Sequence, residues 1–302
     1  MALSNHKTVS CLVLLLLFAQ YISAQTDDDK VISVDSSIVV LNASITDPSG
    51  KAVLGIPQKS FKVFEDGVEQ QIESFAAEDA PFAAVILLDT SGSMEERVTL
   101  ARAAAIQFLD GLRRGDSAAV YNFATKVELV QDFSGGRDLN DHAFDLKADG
   151  MTALNDAVVK AAQELAKRDE KRRAIIVLSD GADTFSKASS DKALKAALAA
   201  NATVYTVDMS AIDTGGRERV QNQGVLKNFA EKTGGKFIST PGGIAMRDAF
   251  KHIVVELGVL YTITYQPLNT KKDGKWRSIE LKIARPNLTI RTRKGYNAPK
   301  GR

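Results

Sequence analysis

Between residues 81 and 257 the chain alternates continuous apolar runs with amphipathic stripes, and no other feature of the sequence constrains the fold as much. Residues 83–88 are apolar without a break, as expected of a central strand covered on both faces by helices. Val98, Ala101, Ala105, Phe108, Leu109 and Leu112 then recur at helical spacing. Residues 117–123 read as a strand that hairpins into 127–133. Leu154, Val158, Ala161, Ala162 and Leu165 form a second stripe, followed by an apolar strand over 174–178. A helix over 190–200, a strand over 203–207, a helix over 226–232, a short strand at 237–238 and a helix over 244–257 complete the series. Repeated βα units predict an α/β domain with a doubly wound, mostly parallel sheet.

The flanks have a different texture. Val39, Leu41, Ala43 and Ile45 alternate with polar or small residues, and Phe61 and Val63 flank Lys62. Asp47-Pro48-Ser49-Gly50 and Glu65-Asp66-Gly67 supply turns. After Gly258 the alternation returns at Tyr261, Ile263 and Tyr265, then at Ile279, Leu281 and Ile283. Each flank is too small to bury a core alone. A segment that begins with a strand and ends with a helix returns its two ends to one side of the sheet, so the flanks meet. The expectation is one small antiparallel β-sandwich built from residues 31–80 and 258–298, with the α/β domain of residues 81–257 inserted into it. Two independent β appendages are the competing arrangement.

The N-terminus reads as a secretion signal. Lys7 precedes a nine-residue apolar run from Cys11 to Ala19, and Ile22-Ser23-Ala24 offers a cleavage site, so residues 1–24 are expected to be removed. The run is far short of the roughly 18 residues that span a bilayer. Removing it takes Lys7 from the 39 Lys+Arg and nothing from the 37 Asp+Glu, so the balance goes from +2 to +1. That gives no electrostatic basis for binding nucleic acid. Cys11 is the single cysteine, so the mature chain would have neither disulfides nor thiol chemistry. A periplasmic or extracellular location is expected. The sequons at Asn42, Asn201 and Asn287 read as chance occurrences.

The first strand of the α/β unit ends in Asp89-Thr90-Ser91-Gly92-Ser93. In an open parallel sheet the crevice at the carboxyl ends of the strands is the default ligand site. A carboxylate and two hydroxyls at alternate positions offer oxygen-only donors suited to a hard cation such as Mg²⁺, with Gly92 letting the backbone fold tightly. Thr152, after Asp149-Gly150, and Asp180, after the strand over 174–178, fall at the same edge. Asp89, Ser91, Ser93, Thr152 and Asp180 are therefore the candidate metal ligands. Four of the five have a plainer reading as well: the first three as the cap of a helix start, Asp180 as a turn residue before Gly181. Met94 reads as packing, and Ser179 and Asp183 as solvated or capping.

These motifs resemble the von Willebrand factor type A family and its metal-ion-dependent adhesion site. Asp-x-Ser-x-Ser is matched at Asp89, Ser91 and Ser93, the second-loop threonine at Thr152, and the third-loop aspartate at Asp180. The resemblance spans about residues 81–257. It implies that Ser91, Ser93 and Thr152 coordinate directly while Asp89 and Asp180 bind directly or through water, with Mg²⁺, Mn²⁺ or Ca²⁺ as the ion. It implies a partner protein that offers an Asp or Glu side chain. Phe61-Lys62-Val63-Phe64-Glu65-Asp66-Gly67 and Arg293-Lys294-Gly295-Tyr296 resemble an exported bacterial subfamily, much seen in Acidobacteria.

An enzyme is not expected. A phosphatase of the haloacid dehalogenase type wants a second aspartate where Ser91 stands, and a serine hydrolase wants glycine where Asp89 stands. Only His142 and His252 survive leader removal, and both read as surface residues. The leading expectation is a metal-dependent adhesion or protein-binding module. The alternatives are a scaffold whose metal only stabilises the fold and, last, a metal-dependent hydrolase. The polar segment over 211–224, with Arg217 and Arg219 as candidate partner contacts, reads equally as a binding loop and as a flexible surface loop.

Overall fold

The computed structural model describes residues 38–77, 80–136, 148–210, 216–239 and 244–301. The expected leader and His142 lie outside the described residues.

The α/β unit is built on a six-stranded sheet of β5 (Phe82–Asp89), β6 (Ser117–Phe123), β7 (Val127–Ser134), β8 (Arg172–Ser179), β9 (Ala202–Asp208) and β10 (Phe237–Ser239). The spatial order is β10-β9-β8-β5-β6-β7. Every pairing is parallel except that of β6 with β7, the expected hairpin. Every residue of β5 is buried, because helices cover both faces. On one face lie α1 (Val98–Asp110) and α5 (Ile244–Gly258), whose Phe108 and Phe250 rings meet edge to face at 6.5 Å. On the other lie α2 (Leu154–Ala166), α3 (Ser190–Ala199) and α4 (Arg217–Thr233). From β5 the chain steps to β6 on one side and later to β8 on the other. The order therefore reverses between β5 and β8, the place where an open α/β sheet leaves a crevice at its carboxyl edge.

The flanks make one sandwich, as the count of chain passes requires. One sheet has the order β13-β1-β11-β4, from Thr289–Arg291, Val39–Thr46, Tyr261–Tyr265 and Ile72–Ala77. The other has β14-β12-β2-β3, from Gly295–Asn297, Trp276–Ile283, Phe61–Glu65 and Val68–Gln70. Leu41, Ala43, Val63, Ile263, Tyr265, Ile279 and Leu281, drawn from both sheets and both flanks, share one apolar core. The β2–β3 turn forms where predicted, with Asp66 and Gly67 at φ +48° and +82°.

One expectation fails. Residues 211–215 lie outside the described residues, but from Arg217 onward the expected loop is helix, and α4 begins nine residues before the predicted start at 226. Its first turns have few apolar residues to set a helical period. They are held by polar contacts: Gln223 Nε2 donates to Asp208 Oδ2 at 2.7 Å.

Of the sequons, Asn42 is ruled out as an exposed acceptor. It is buried, donating to Lys171 O and accepting from Thr262 Oγ1.

Candidate metal centre

The backbone at the carboxyl edge is set by four strand tops. Thr90 N donates to Phe123 O at 2.8 Å, tying the end of β5 to that of β6. Met209 N donates to Ser179 O at 3.0 Å, tying β9 to β8. Asp149 N donates to Thr90 O at 2.9 Å and Gly92 N to Gly150 O at 3.2 Å, which brings the second loop over the first. The second and third loops are knitted together as well. Thr152 N donates to Thr184 Oγ1 at 3.0 Å, and the Thr184 and Phe185 amides both donate to Thr152 O at 2.9 Å. Asp183, expected to cap, does so: it accepts from Asn155 N at 2.8 Å, in the first turn of α2.

Gly92 opens a short 3₁₀ turn but does not need to be glycine, since an added Cβ would meet only Gly150 O at 3.7 Å; turns that do need glycine are also present. They occur at Gly150 (φ +76°) and Gly181 (φ +83°). A Cβ at Gly150 would lie 2.5 Å from Thr125 Oγ1, and one at Gly181 2.6 Å from Asn222 O of α4. Glycine is required at both because the backbone is left-handed and a neighbour is close.

On this frame the five predicted residues converge. Ser91, Ser93, Thr152 and Asp180 line one open cleft of about 790 Å³. Asp89 lies directly beneath, with no exposed surface. Its Oδ1 accepts from Ser91 N at 2.9 Å and Ser91 Oγ at 2.6 Å, and its Oδ2 from Ser179 Oγ at 2.6 Å. Burial pushes the Asp89 carboxyl up to about 6, partly offset by the hydrogen bonds from Ser179 and Ser91. The helix-cap reading of the triplet is not what forms: the short turn over Gly92–Met94 and helix α1 both start without a side-chain cap. Met94 is fully buried, as expected of packing.

Of the two readings of Ser179, capping is met at the Gly181 amide and solvation is not. The residue is fully buried, and its hydroxyl donates to Asp89 while accepting from Gly181 N at 3.0 Å. A serine closing an apolar strand one residue before a candidate aspartate was the only signal for this role.

The donor set fits a hard cation. Ser91 Oγ and Ser93 Oγ are 3.2 Å apart, close to the roughly 2.9 Å that separates two adjacent ligands of an octahedral ion bound at about 2.05 Å. Thr152 is only 4% exposed, lines the cleft, and its Oγ1 has no hydrogen-bond partner among the described residues. Asp180 Oδ1 accepts from Ala182 N at 3.0 Å, and its second oxygen is unengaged among the described residues. Both Asp89 oxygens already accept hydroxyl protons, which suits a carboxylate acting from behind the first ring of ligands. No group of three or more His, Cys, Asp or Glu side chains suited to a metal gathers among the described residues, so an ion held here rests mainly on hydroxyls.

The two partner-binding candidates separate. Arg219 lines the cleft, with Glu218 and Asn222 of α4, whereas Arg217 is exposed outside that lining.

Residues 84–182 match the family model of the von Willebrand factor type A domain, a stretch that contains all five candidate ligands. No curated protein matches the chain. Among solved structures, the open conformation of the pilus adhesin SpaC from Lactobacillus rhamnosus GG aligns with a TM-score of 0.50 and 10% identity, over 82% of this chain and 49% of that one. A von Willebrand factor type A protein from Catenulispora acidiphila aligns at 0.48 and 14%, over 88% and 75%. The PilB minor pilin from Streptococcus sanguinis aligns at 0.47 and 15%, over 61% and 63%. The chain thus spans about half the length of the adhesin and 63% of that of the pilin. At 10% identity the likeness to the adhesin is one of fold alone.

Proposed function

Because the chain carries a von Willebrand factor type A domain over residues 84–182, we propose that it is a metal-ion-dependent protein-binding module, exported from the cell, that grips an acidic side chain of its partner. One observation carries this reading: four oxygen-bearing side chains from three loops meet in an open cleft above a buried aspartate. Ser91, Ser93 and Thr152 would hold Mg²⁺, or Mn²⁺ or Ca²⁺, with Asp89 and Asp180 acting directly or through water. The bound ion supplies an electron-poor centre with an exchangeable position that a carboxylate can take.

The chain's own residues do the rest. Ser179 and Ser91 hold the Asp89 carboxylate in one orientation, and the 150–153 and 180–188 loops, joined through Thr152 and Thr184, fix the spacing of the opposite wall. A cation also offsets the cost of ionising a carboxylate as buried as Asp89. The family implies no acid–base chemistry here, so binding is the reading preferred over catalysis. Among the described residues no helix is long and apolar enough to cross a membrane.

The test is calorimetric titration of Mg²⁺ into the wild type and Thr152→Ala, paired with capture of partners from the native cell envelope with and without EDTA. Saturable Mg²⁺ binding that the substitution weakens, and captured proteins that EDTA releases, are expected. Identical capture in all four conditions would overturn metal-dependent recognition.

A further inference from the structure

We propose that the cleft selects a partner segment in which the acidic residue stands between a basic residue and an apolar one. This rests on the metal-binding reading above and specifies its ligand.

The cleft has two unlike banks. Glu95 and Glu96 precede α1, which packs on one face of the sheet, and both are exposed. Met151 and Phe185 precede α2 and α3, which pack on the other face, and they are 52% and 45% exposed. Ser91, Ser93 and Asp180 lie at the sheet edge between the banks. Phe185 is tied to the same edge by its backbone, whose N donates to Thr152 O, the residue that follows Met151 and whose nearly buried hydroxyl has no partner among the described residues. An exposed methionine in the lining of a polar cleft, with an exposed phenylalanine tied by its backbone to the next residue, Thr152, is apolar surface that a partner can cover.

Charge then fixes the other side. With Asp180 and Asp89 offset by the ion, Glu95, Glu96 and Glu218 still outnumber Arg97 and Arg219 around the cleft. A bare acidic ligand would gain the ion and meet repulsion from this rim; a ligand with a basic neighbour gains both. Like-charge contacts at a rim work against wrong partners, and complementary ones speed the right encounter. The occupant is therefore an exposed protein loop with Lys or Arg toward Glu95 and Glu96, Asp or Glu at the metal, and an apolar side chain on Met151 and Phe185. A strongly acidic partner, including nucleic acid, does not fit.

Selection of short, fully randomised displayed peptides on the full chain in Mg²⁺ tests this, with an EDTA arm and a parallel calorimetric titration of Mg²⁺ alone. The expected enrichment is an Asp or Glu with Lys or Arg on one side and an apolar residue on the other, lost in EDTA. With E95K/E96K, affinity for an enriched peptide should fall on the order of tenfold, about 1.4 kcal/mol, and selection should abandon basic flanks. M151S/F185S should lose the apolar preference and keep the basic one. All four residues are exposed, and unchanged melting temperatures would exclude misfolding. An EDTA-sensitive central carboxylate with flanks at their input frequencies would overturn the proposal and leave metal-dependent binding standing. No selected carboxylate, together with no Mg²⁺ binding, would overturn both.

Discussion

The two ends of β8 make opposite use of polar side chains. At its start, Arg172 is a fully buried cation, and its guanidinium donates to five acceptors: Thr262 Oγ1 and the carbonyls of Ala80, Leu257, Gly258 and Leu260. Those acceptors belong to the two places where the chain enters and leaves the α/β unit, so one side chain joins the inserted domain to the sandwich. Just beyond the other end, among the described residues Asp180 keeps an unengaged oxygen and Thr152 an unengaged hydroxyl. The same strand thus runs from a saturated polar cluster to an unsaturated one. Buried polar groups are normally satisfied. A saturated cluster marks architecture, and an unsaturated one opening onto solvent marks a place for something else to bind.

Breaking the saturated end should give the largest effect. Arg172→Ala strands several buried carbonyls at once, each costing about 1–3 kcal/mol when left unmet, so a loss of roughly 3 kcal/mol or more in urea unfolding is expected. The folded fraction should still bind Mg²⁺. If stability holds and Mg²⁺ affinity falls instead, the division of labour between the two ends of β8 is wrong.

At the unsaturated end the order should invert. Thr152→Ala removes a proposed ligand whose hydroxyl supports nothing else among the described residues. Calorimetry should show Mg²⁺ affinity reduced on the order of 10- to 100-fold, about 1.4–2.7 kcal/mol, with a melting temperature in EDTA close to that of the wild type. A fall in the EDTA melting temperature matching the loss of affinity would make Thr152 structural.

Ser179 lies between the two regimes, since its hydroxyl is satisfied yet serves the cleft by fixing Asp89. Outer partners of metal ligands are commonly worth about tenfold or more in affinity. Ser179→Ala should therefore cost about tenfold in Mg²⁺ affinity, and Ser179→Thr should recover part of it. Equal affinities for all three proteins would show that Asp89 needs no such orientation.

How legible this was depends on what kind of interaction builds each part. The sheet and most helices follow apolar periodicity, so residues 83–88 announced β5, and counting chain passes placed both flanks in one sandwich. The five candidate ligands were readable because each sits next to a strand end or helix start that periodicity locates. Arg172 carries no such signal: it looks like one more basic residue in the run from Lys171 to Arg173, and its acceptors lie about 90 residues away in sequence. The first turns of α4 were missed for the same reason, being fixed by Gln223 on Asp208 and by Asn222 against Gly181 instead of an apolar stripe. Glu95, Glu96, Met151 and Phe185 become two banks only once the sheet says which face each loop approaches.

The smallest effect tests whether an unmet group alone is enough to mark a site. Glu65 follows Phe61 and Val63 at alternate positions of β2, so it faces the sandwich core. Its Oε2 accepts from Tyr265 and Tyr296 at 2.8 and 3.0 Å, while its buried Oε1 has no partner among the described residues. Unlike Thr152, it faces packed side chains. Burial first, with Glu65 adding to it, holds both tyrosine hydroxyls well above their ordinary range. In the unfolded chain they ionise near pH 10, so above that pH the unfolded state sheds protons that the folded state keeps, and stability falls as pH rises. Tyr265→Phe should cost about 1 kcal/mol at neutral pH by removing one hydrogen bond to Glu65. It should also flatten the alkaline loss in urea unfolding between neutral pH and about pH 10.5. Mg²⁺ affinity should be unchanged. A shift in Mg²⁺ affinity would mean that the sandwich and the cleft are coupled through the Arg172 junction, and that the polar groups of β8 work as one system.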